Sequence, residues 1–338
     1  MMTMDLKVSF YDEHFSKKLC ETFRKYGVAI ISDVFDPEEC DWKMNEIINC
    51  FENLGTGIKR DDIRGTWTTA KLPPQTRPGL FQCLVGHIQP VWDIRGDPRV
   101  RMIFEVLYSD LRKKEVNDFY TSFDGINIVP NEMANEKKQK DWPHLDQTVR
   151  HEPWMCVQGQ AVLTQTTACF RATPGSHVLY NEILDEEGVE EDDKTNWCLI
   201  KKQAKVKRIC EEHGLQWQVP ILSDKGSFIV WSSSTVHSAR NSSVIEDNNT
   251  DFWRGWRGVI YVCYRPKDEV SRRAVRAREG YLVGNRLTNH WSEKVFPKKP
   301  GCQYIYAKPR ENIIEEYIRN PQEIYKVIGH PTIDNNIA

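Results

Sequence analysis

The stretch Trp142-Pro143-His144-Leu145-Asp146-Gln147 decides how the rest of this chain is read. An imidazole and a carboxylate separated by one residue point to the same side of an extended strand, because side chains alternate with a period of two. Both can therefore chelate one metal ion. Taken alone a His-x-Asp arises often by chance, and a solvated surface strand is the competing reading. The surroundings favour the metal. A Trp-Pro pair precedes His144 and strongly apolar segments follow it, which places the pair at the mouth of a barrel. Further on, Gly226-Ser227-Phe228-Ile229-Val230-Trp231 reads as a buried strand that leads through Ser232–Ser238 past His237, the natural third ligand. Two imidazoles and one carboxylate occupy one face of an octahedral ion and leave the other positions open, the pattern of non-haem Fe(II) oxygenases.

The rest of the composition is consistent with one globular chain. At 338 residues it is long enough for a single large β-sandwich or barrel with decorations, and no Gly/Ser- or Pro-rich linker divides it. A formal net charge of -2 gives no bulk drive toward nucleic acid or an anionic membrane. Ten Cys, none in a Cys-x-x-Cys pair, fit neither a zinc site nor a secreted disulfide framework, so reduced thiols and a cytoplasmic location are expected. No stretch approaches a membrane span, and Met1 to Phe10 has no signal-like pattern. Eleven Trp are more than a core usually needs, which points to indoles lining a pocket.

Apolar residues at four-residue spacing predict a helix over Tyr11–Lys25, followed by a short strand at Val28–Ile31. Asp36-Pro37-Glu38-Glu39 and Asp97-Pro98 are helix starts, with a capping acid and Pro at the first helical position. Residues 11–115 therefore read as a mostly helical buttress. From Thr121 short apolar strands alternate with polar turns: Ser122–Ile128, His144–Thr148, Trp154–Thr166, Ala168–Ala172, Gln216–Val219, Phe228–Ser232 and Gly258–Tyr264. Their number and spacing suit a two-sheet jelly roll over residues 120–265. The polar stretches Asn135–Lys140, Asp185–Asp193, Lys201–Arg208 and Glu246–Asp251 read as surface loops, and Asp268–Glu279 as a basic helix opening a C-terminal extension over 266–338. The whole chain, 1–338, is expected to be one domain.

Other polar residues carry secondary expectations. Arg257 opens an apolar strand and, as a planar guanidinium, suits a carboxylate; Arg240, Arg254 and Arg265 compete for that role. Gln147 and Gln158 could orient the metal ligands or the co-substrate through their amides, Gln158 being the candidate co-substrate contact, or be ordinary strand residues. Trp231 ends the apolar strand before His237 and is a candidate co-substrate contact. His177, in Pro174-Gly175-Ser176-His177, sits in a tight turn where a structural role competes with a substrate contact. His151 is close in sequence to the pair but separated from it by charged residues that suggest a loop, and His14, His87, His213, His290 and His330 have no ligand-like spacing.

From about Phe23 to Tyr264 the sequence resembles the phytanoyl-CoA dioxygenase-like family. The likeness is carried in order by Tyr26–Ile31, Phe35–Cys40, the His144/Asp146 pair, the turn Pro174–His177, the strand Gly226–Trp231 and the stretch His237-x-x-x-Asn241-x-Ser243. The family's Arg follows its distal His by about ten residues, so Arg257 requires an insertion at Val244–Trp253. The resemblance implies a double-stranded β-helix of the cupin-like jelly-roll class, mainly β with a helical buttress. It also implies Fe(II) and 2-oxoglutarate as cofactors, and oxidation of a substrate C–H bond with dioxygen to give succinate and CO2 as co-products. A small-molecule or acyl substrate is expected. The alternative is a catalytically silent jelly roll that keeps the fold for binding or structure.

Overall fold

The computed structural model describes residues 4–291, apart from 74, 76, 83–84, 134–141, 151, 166–169, 192–195, 241–250 and 284–286. The expected loops Asn135–Lys140 and, but for Asp251, Glu246–Asp251 lie outside the described residues, as does most of the expected C-terminal extension. The chain divides into two compact units, Met1–Met44 with Ile128–Val259 and Asn45–Asn127 with Ile260–Ala338.

In the first unit β1 (Lys7–Ser9) pairs in parallel with β2 (Val28–Ser32), joined by α1 (Phe15–Tyr26). Phe15, Leu19 and Phe23 form the buried stripe of α1. The helix starts later than the expected Tyr11 because the Asp12 carboxylate accepts the His14 N–H and holds a turn there. The next helix, α2 (Pro37–Asn53), begins as its Pro and first-turn acids predict, and Cys40, Met44, Ile47 and Phe51 are fully buried along it.

The second unit is built from α3 (Ile63–Thr66), β3 (Leu80–Phe81), α4 (Gln89–Gly96), α5 (Pro98–Arg112) and β4 (Phe119–Thr121), with parts of strands described below. Asp97 caps α5 by accepting the Arg99 N–H, and Val100, Ile103, Phe104 and Leu107 are buried. Helix α4 was not anticipated, since eight residues are too few to establish a helical period. The strand expected over Ser122–Ile128 is β5 (Ile126–Val129), whose first residues pair with β3.

The remaining strands of the first unit are β6 (His144–Leu145), β7 (Val157–Val162), β8 (Phe170–Ala172), β9 (Cys198–Leu199), β10 (Val219–Pro220), β11 (Phe228–Ser232) and β12 (His237–Ala239), and the unit also holds the start of β13 (Arg257–Pro266). The larger sheet there runs β1-β2-β11-β7, with Leu163 N–H bonded to Gly258 O beside β7. The smaller sheet runs β10-β8-β12-β6-β9, antiparallel throughout. This is the expected jelly-roll arrangement with open sheets. It is not a closed barrel, because the smaller sheet ends in the edge strands β10 and β9.

Of two stretches expected to be loops, the first is helical only over Asp185–Glu187 and the second from Gln203 on. The acidic run overlaps α6 (Tyr180–Glu187), and the basic run overlaps α7 (Gln203–Glu212). Charge hid an apolar stripe in each, for Ile183, Leu184, Val206 and Cys210 pack together with Leu145 and Val236 behind the smaller sheet. The basic C-terminal helix is α8 (Arg272–Val283), displaced because Lys267–Glu269 forms a separate short turn. Among the described residues no helix is long and apolar enough to cross a membrane. Burial pushes the thiols of Cys40, Cys198 and Cys210 up to about 12, 11 and 12.

The C-terminal carbonyls of α1 organise the first unit. Such groups have no partner within the helix and must find one elsewhere. Gly175 N–H donates to Tyr26 O, Ser232 N–H and the Thr235 hydroxyl donate to Gly27 O, and His177 Nε2–H donates to Arg24 O at 3.1 Å. Gly27 has φ 65°, and a Cβ there would lie 2.4 Å from His177 Nδ1, so both backbone conformation and space demand glycine. One helix end thus fixes the Pro-Gly-Ser-His turn and the β11–β12 connection.

Burial of His177 against Trp154 pushes its imidazole down to about 4, although the bond to Arg24 works the other way. Above the unfolded value of about 6.5 the ring is neutral in both states. As pH falls from there toward 4, the unfolded chain takes up a proton that the folded one refuses, so stability is lost across that window, on the order of 3 kcal/mol in all. Denaturation midpoints should fall between pH 7 and 4 in the wild type and fall less in His177→Gln, whose amide can still donate to Arg24 O. Equal slopes would contradict this origin.

Candidate metal centre

His144 and His237 are directly opposed residues of the antiparallel pair β6–β12, with ring centroids 4.2 Å apart. Asp146 lies just beyond β6, held by its backbone N–H to Ser233 O at 2.9 Å. The carboxylate then reaches both rings, with Oδ1 3.7 Å from His144 Nε2 and Oδ2 3.2 Å from His237 Nε2. All three residues are buried, and each offers one ligand atom within 4.8 Å of the others.

The tautomers are set by the backbone. His144 Nδ1 lies 3.0 Å from Trp142 O and His237 Nδ1 2.9 Å from Thr235 O, each the carbonyl two residues upstream. A carbonyl only accepts, so both Nδ1 atoms carry hydrogen and both Nε2 lone pairs face Asp146. Gln158 Nε2–H donates to Asp146 Oδ2 at 3.0 Å, which orients the carboxylate from the larger sheet. Gln147 has a different job. Its amide donates to Val149 O and Glu152 O and accepts from the Ser233 hydroxyl, bracing the turn without touching a ligand side chain.

The wall opposite the triad belongs to the larger sheet. Gln158 pairs directly with Trp231, so both face the same side, and the Trp231 ring lies 5.5 Å from His237. Gln160 shares the face of Gln158 by strand alternation. Here Trp231 Nε1, Gln158 Oε1 and Gln160 Oε1 are buried with no hydrogen-bond partner among the described residues. Unmatched polar atoms are costly inside a protein, so their clustering beside the triad fits a polar molecule that completes them. Arg257 is 1% exposed and its Nη1 lies 3.4 Å from Arg240 O, three residues past His237. A Cβ on Gly258 would meet Met44 of α2, so Gly258 faces that helix and Arg257 faces the other side of the strand. Arg240 is exposed and Arg254 half-buried, while Arg265 is paired with Glu269 in the second unit.

Aromatic residues that spacing does not single out complete the surroundings. Trp142 stacks on His144 at 4.3 Å and 6° and donates its indole N–H to Ala239 O. Phe170 lies against both Trp231 and His237, and Trp197 lies 6.2 Å from His144. His177 stands apart in its turn, and His151 and His330 lie outside the described residues.

Comparison with known proteins agrees with this architecture. The chain is 26% identical over 287 residues to Ava biosynthesis cluster protein O of Aspergillus versicolor, covering 81% of this chain and 87% of that one. In fold it is similar to GlcNAc Inducible Gene 2 of Candida albicans (TM-score 0.56, 14% identity, 96% of this chain and 79% of that one). It is also similar to a hypothetical protein, JW0805, of Escherichia coli (TM-score 0.58, 12% identity, 89% of this chain and 80% of that one). Residues 123–247, the stretch that supplies His144, Asp146, Gln158, Trp231 and His237, match the phytanoyl-CoA dioxygenase (PhyH) family.

Proposed function

We infer that the chain is a non-haem Fe(II)/2-oxoglutarate-dependent oxygenase that hydroxylates or otherwise oxidises a C–H bond of a small-molecule or acyl substrate. The convergence of two Nε2 atoms and one carboxylate, with both Nδ1 positions committed to backbone carbonyls, carries this reading. Two neutral imidazoles and a carboxylate suit Fe(II) and leave coordination positions open. His144, Asp146 and His237 would hold the iron. Arg257 would take the far carboxylate of 2-oxoglutarate, with the Trp231 indole N–H as a further donor beside it. Together iron and 2-oxoglutarate would supply, with dioxygen, oxidative decarboxylation to succinate and CO2 and an oxidant for the substrate C–H bond.

The chain's own residues then have separable tasks. Trp142 O and Thr235 O hold the imidazoles in the ligating tautomer, and Gln158 keeps the carboxylate turned toward them. Phe170 and Trp231 exclude water on the His237 side. Asp146 itself favours hydroxylation over halogenation, since a halide needs the carboxylate's coordination place.

Metal analysis of anaerobically purified protein, with a succinate assay lacking added substrate, tests the class. One iron per chain and slow succinate release are expected, whereas iron-free protein would favour the silent jelly roll. His144→Ala and Asp146→Ala should each abolish stoichiometric iron, and Gln158→Leu should weaken it by about 10- to 100-fold. Full occupancy in either alanine variant would sink the assignment.

Arg257 separates this reading from a metal-binding jelly roll that uses no 2-oxoglutarate. Removing one partner of a buried charge pair costs about 3–5 kcal/mol, or roughly two to three and a half decades in affinity. Titration of the iron-loaded protein with 2-oxoglutarate should show that loss in Arg257→Ala, with iron content unchanged. Arg257→Lys should recover only part of it, lacking the bidentate fork. An unaltered curve for Arg257→Ala would move the anchor elsewhere.

A further inference from the structure

The geometry points to Trp197 as the substrate-binding wall of this site and to a planar aromatic ring as the part of the substrate it receives. This inference rests on the oxygenase reading only for calling the bound molecule a substrate.

Among the described residues four aromatic rings surround the triad, and they are not equivalent. Phe170 and Trp231, on the His237 side, are each 4% exposed and packed against one another. Trp142 is committed twice, with its face on His144 and its N–H on Ala239 O. Trp197 is 40% exposed, although its ring lies only 6.2 Å from the His144 ring. The accessible side of the centre is therefore the side of Trp197.

Its backbone is held in place. Trp197 immediately precedes β9, the edge strand that pairs with β6 and sets Leu199 opposite His144. The residue before it, Asn196, is buried with φ 47°, a left-handed conformation that costs a non-glycine residue free energy. Its side-chain oxygen compensates by accepting the Thr148 N–H at 3.2 Å, two residues from Asp146. A strained, buried and hydrogen-bonded residue thus displays a large apolar ring to solvent beside the metal ligands. Core packing does not account for that, since the ring stays exposed; ligand contact does.

The shape of the surface selects the class. The exposed Trp197 ring is inclined at 46° to the His144 ring, so a flat π face borders the open side. A planar ring covers such a face with no internal rotors to freeze. A flexible acyl chain must order several bonds for the same area.

Ligand-detected NMR on the metal-free full chain tests this, with 1-naphthol and its saturated analogue decahydro-1-naphthol as probes. Wild type should bind 1-naphthol and discriminate against the saturated ring. Trp197→Ala should bind it about tenfold more weakly, in the range of a lost stacking partner, and Trp197→Phe should retain most of the affinity. The ring is exposed, so both variants should keep the wild-type melting temperature, which is measured alongside. No binding by wild type, equal affinity for the two probes, or equal affinity in wild type and Trp197→Ala would each overturn the inference. Because no metal is present, these outcomes are independent of the iron and 2-oxoglutarate experiments: if those fail while naphthol still binds through Trp197, the oxygenase reading falls and the aromatic site stands.

Discussion

Asp146 is the point at which the separate parts of the first unit are tied together. Its main chain is bonded to Ser233, in the connection that leads to His237, and its side chain is bonded to Gln158 of the larger sheet. A carboxylate in that position, 6% exposed, is tolerable only if it is paired, because an isolated buried charge is strongly disfavoured. The two imidazole Nε2 atoms and the Gln158 amide are what surround it. The Gln158 amide donates to it, whereas the two Nε2 lone pairs do not, so a cation held among the three side chains would supply the charge that makes this residue acceptable inside the protein.

The same logic of unsatisfied groups explains how the distal histidine is placed. The end of α1 offers carbonyls, and the Pro-Gly-Ser-His turn and the β11–β12 connection offer the donors. His237 follows two residues after Thr235, whose hydroxyl is bonded to Gly27 and whose carbonyl takes the His237 ring N–H. A helix end more than 200 residues upstream thus sets the orientation of a ligand ring.

What could be read in advance follows from how local each signal is. The helix starts at Pro37 and Pro98 and the strand Phe228–Ser232 are encoded in adjacent residues, and they lie where the pattern placed them. His144 and Asp146 are brought together as their spacing suggests, though not for the reason given: β6 ends at Leu145, and Asp146 is turned inward by its bond to Ser233. The helices α6 and α7 were hidden because four or five charges outweigh two or three buried residues in a short window. Gln147 and Gln158 looked alike in sequence, and only their partners across the fold separate a turn brace from a carboxylate partner. Trp197 could not be singled out at all, since it lies 53 residues from His144 (197 − 144) and meets it only through the β6–β9 pairing.

The buried thiols have a practical bearing. With Cys40, Cys198 and Cys210 pushed to about 11–12, almost none of each is thiolate at neutral pH, and the thiolate is the form that attacks an alkylating reagent. An oxidising reaction nearby would find little to damage at these positions. Conversely, any modification of them requires the surrounding structure to open. Cys40 reports on α2 where it packs on the larger sheet, while Cys198 and Cys210 report on the helices behind the smaller one. Mass-resolved alkylation at each cysteine would thus chart which part of the jelly roll breathes first, without any engineered label.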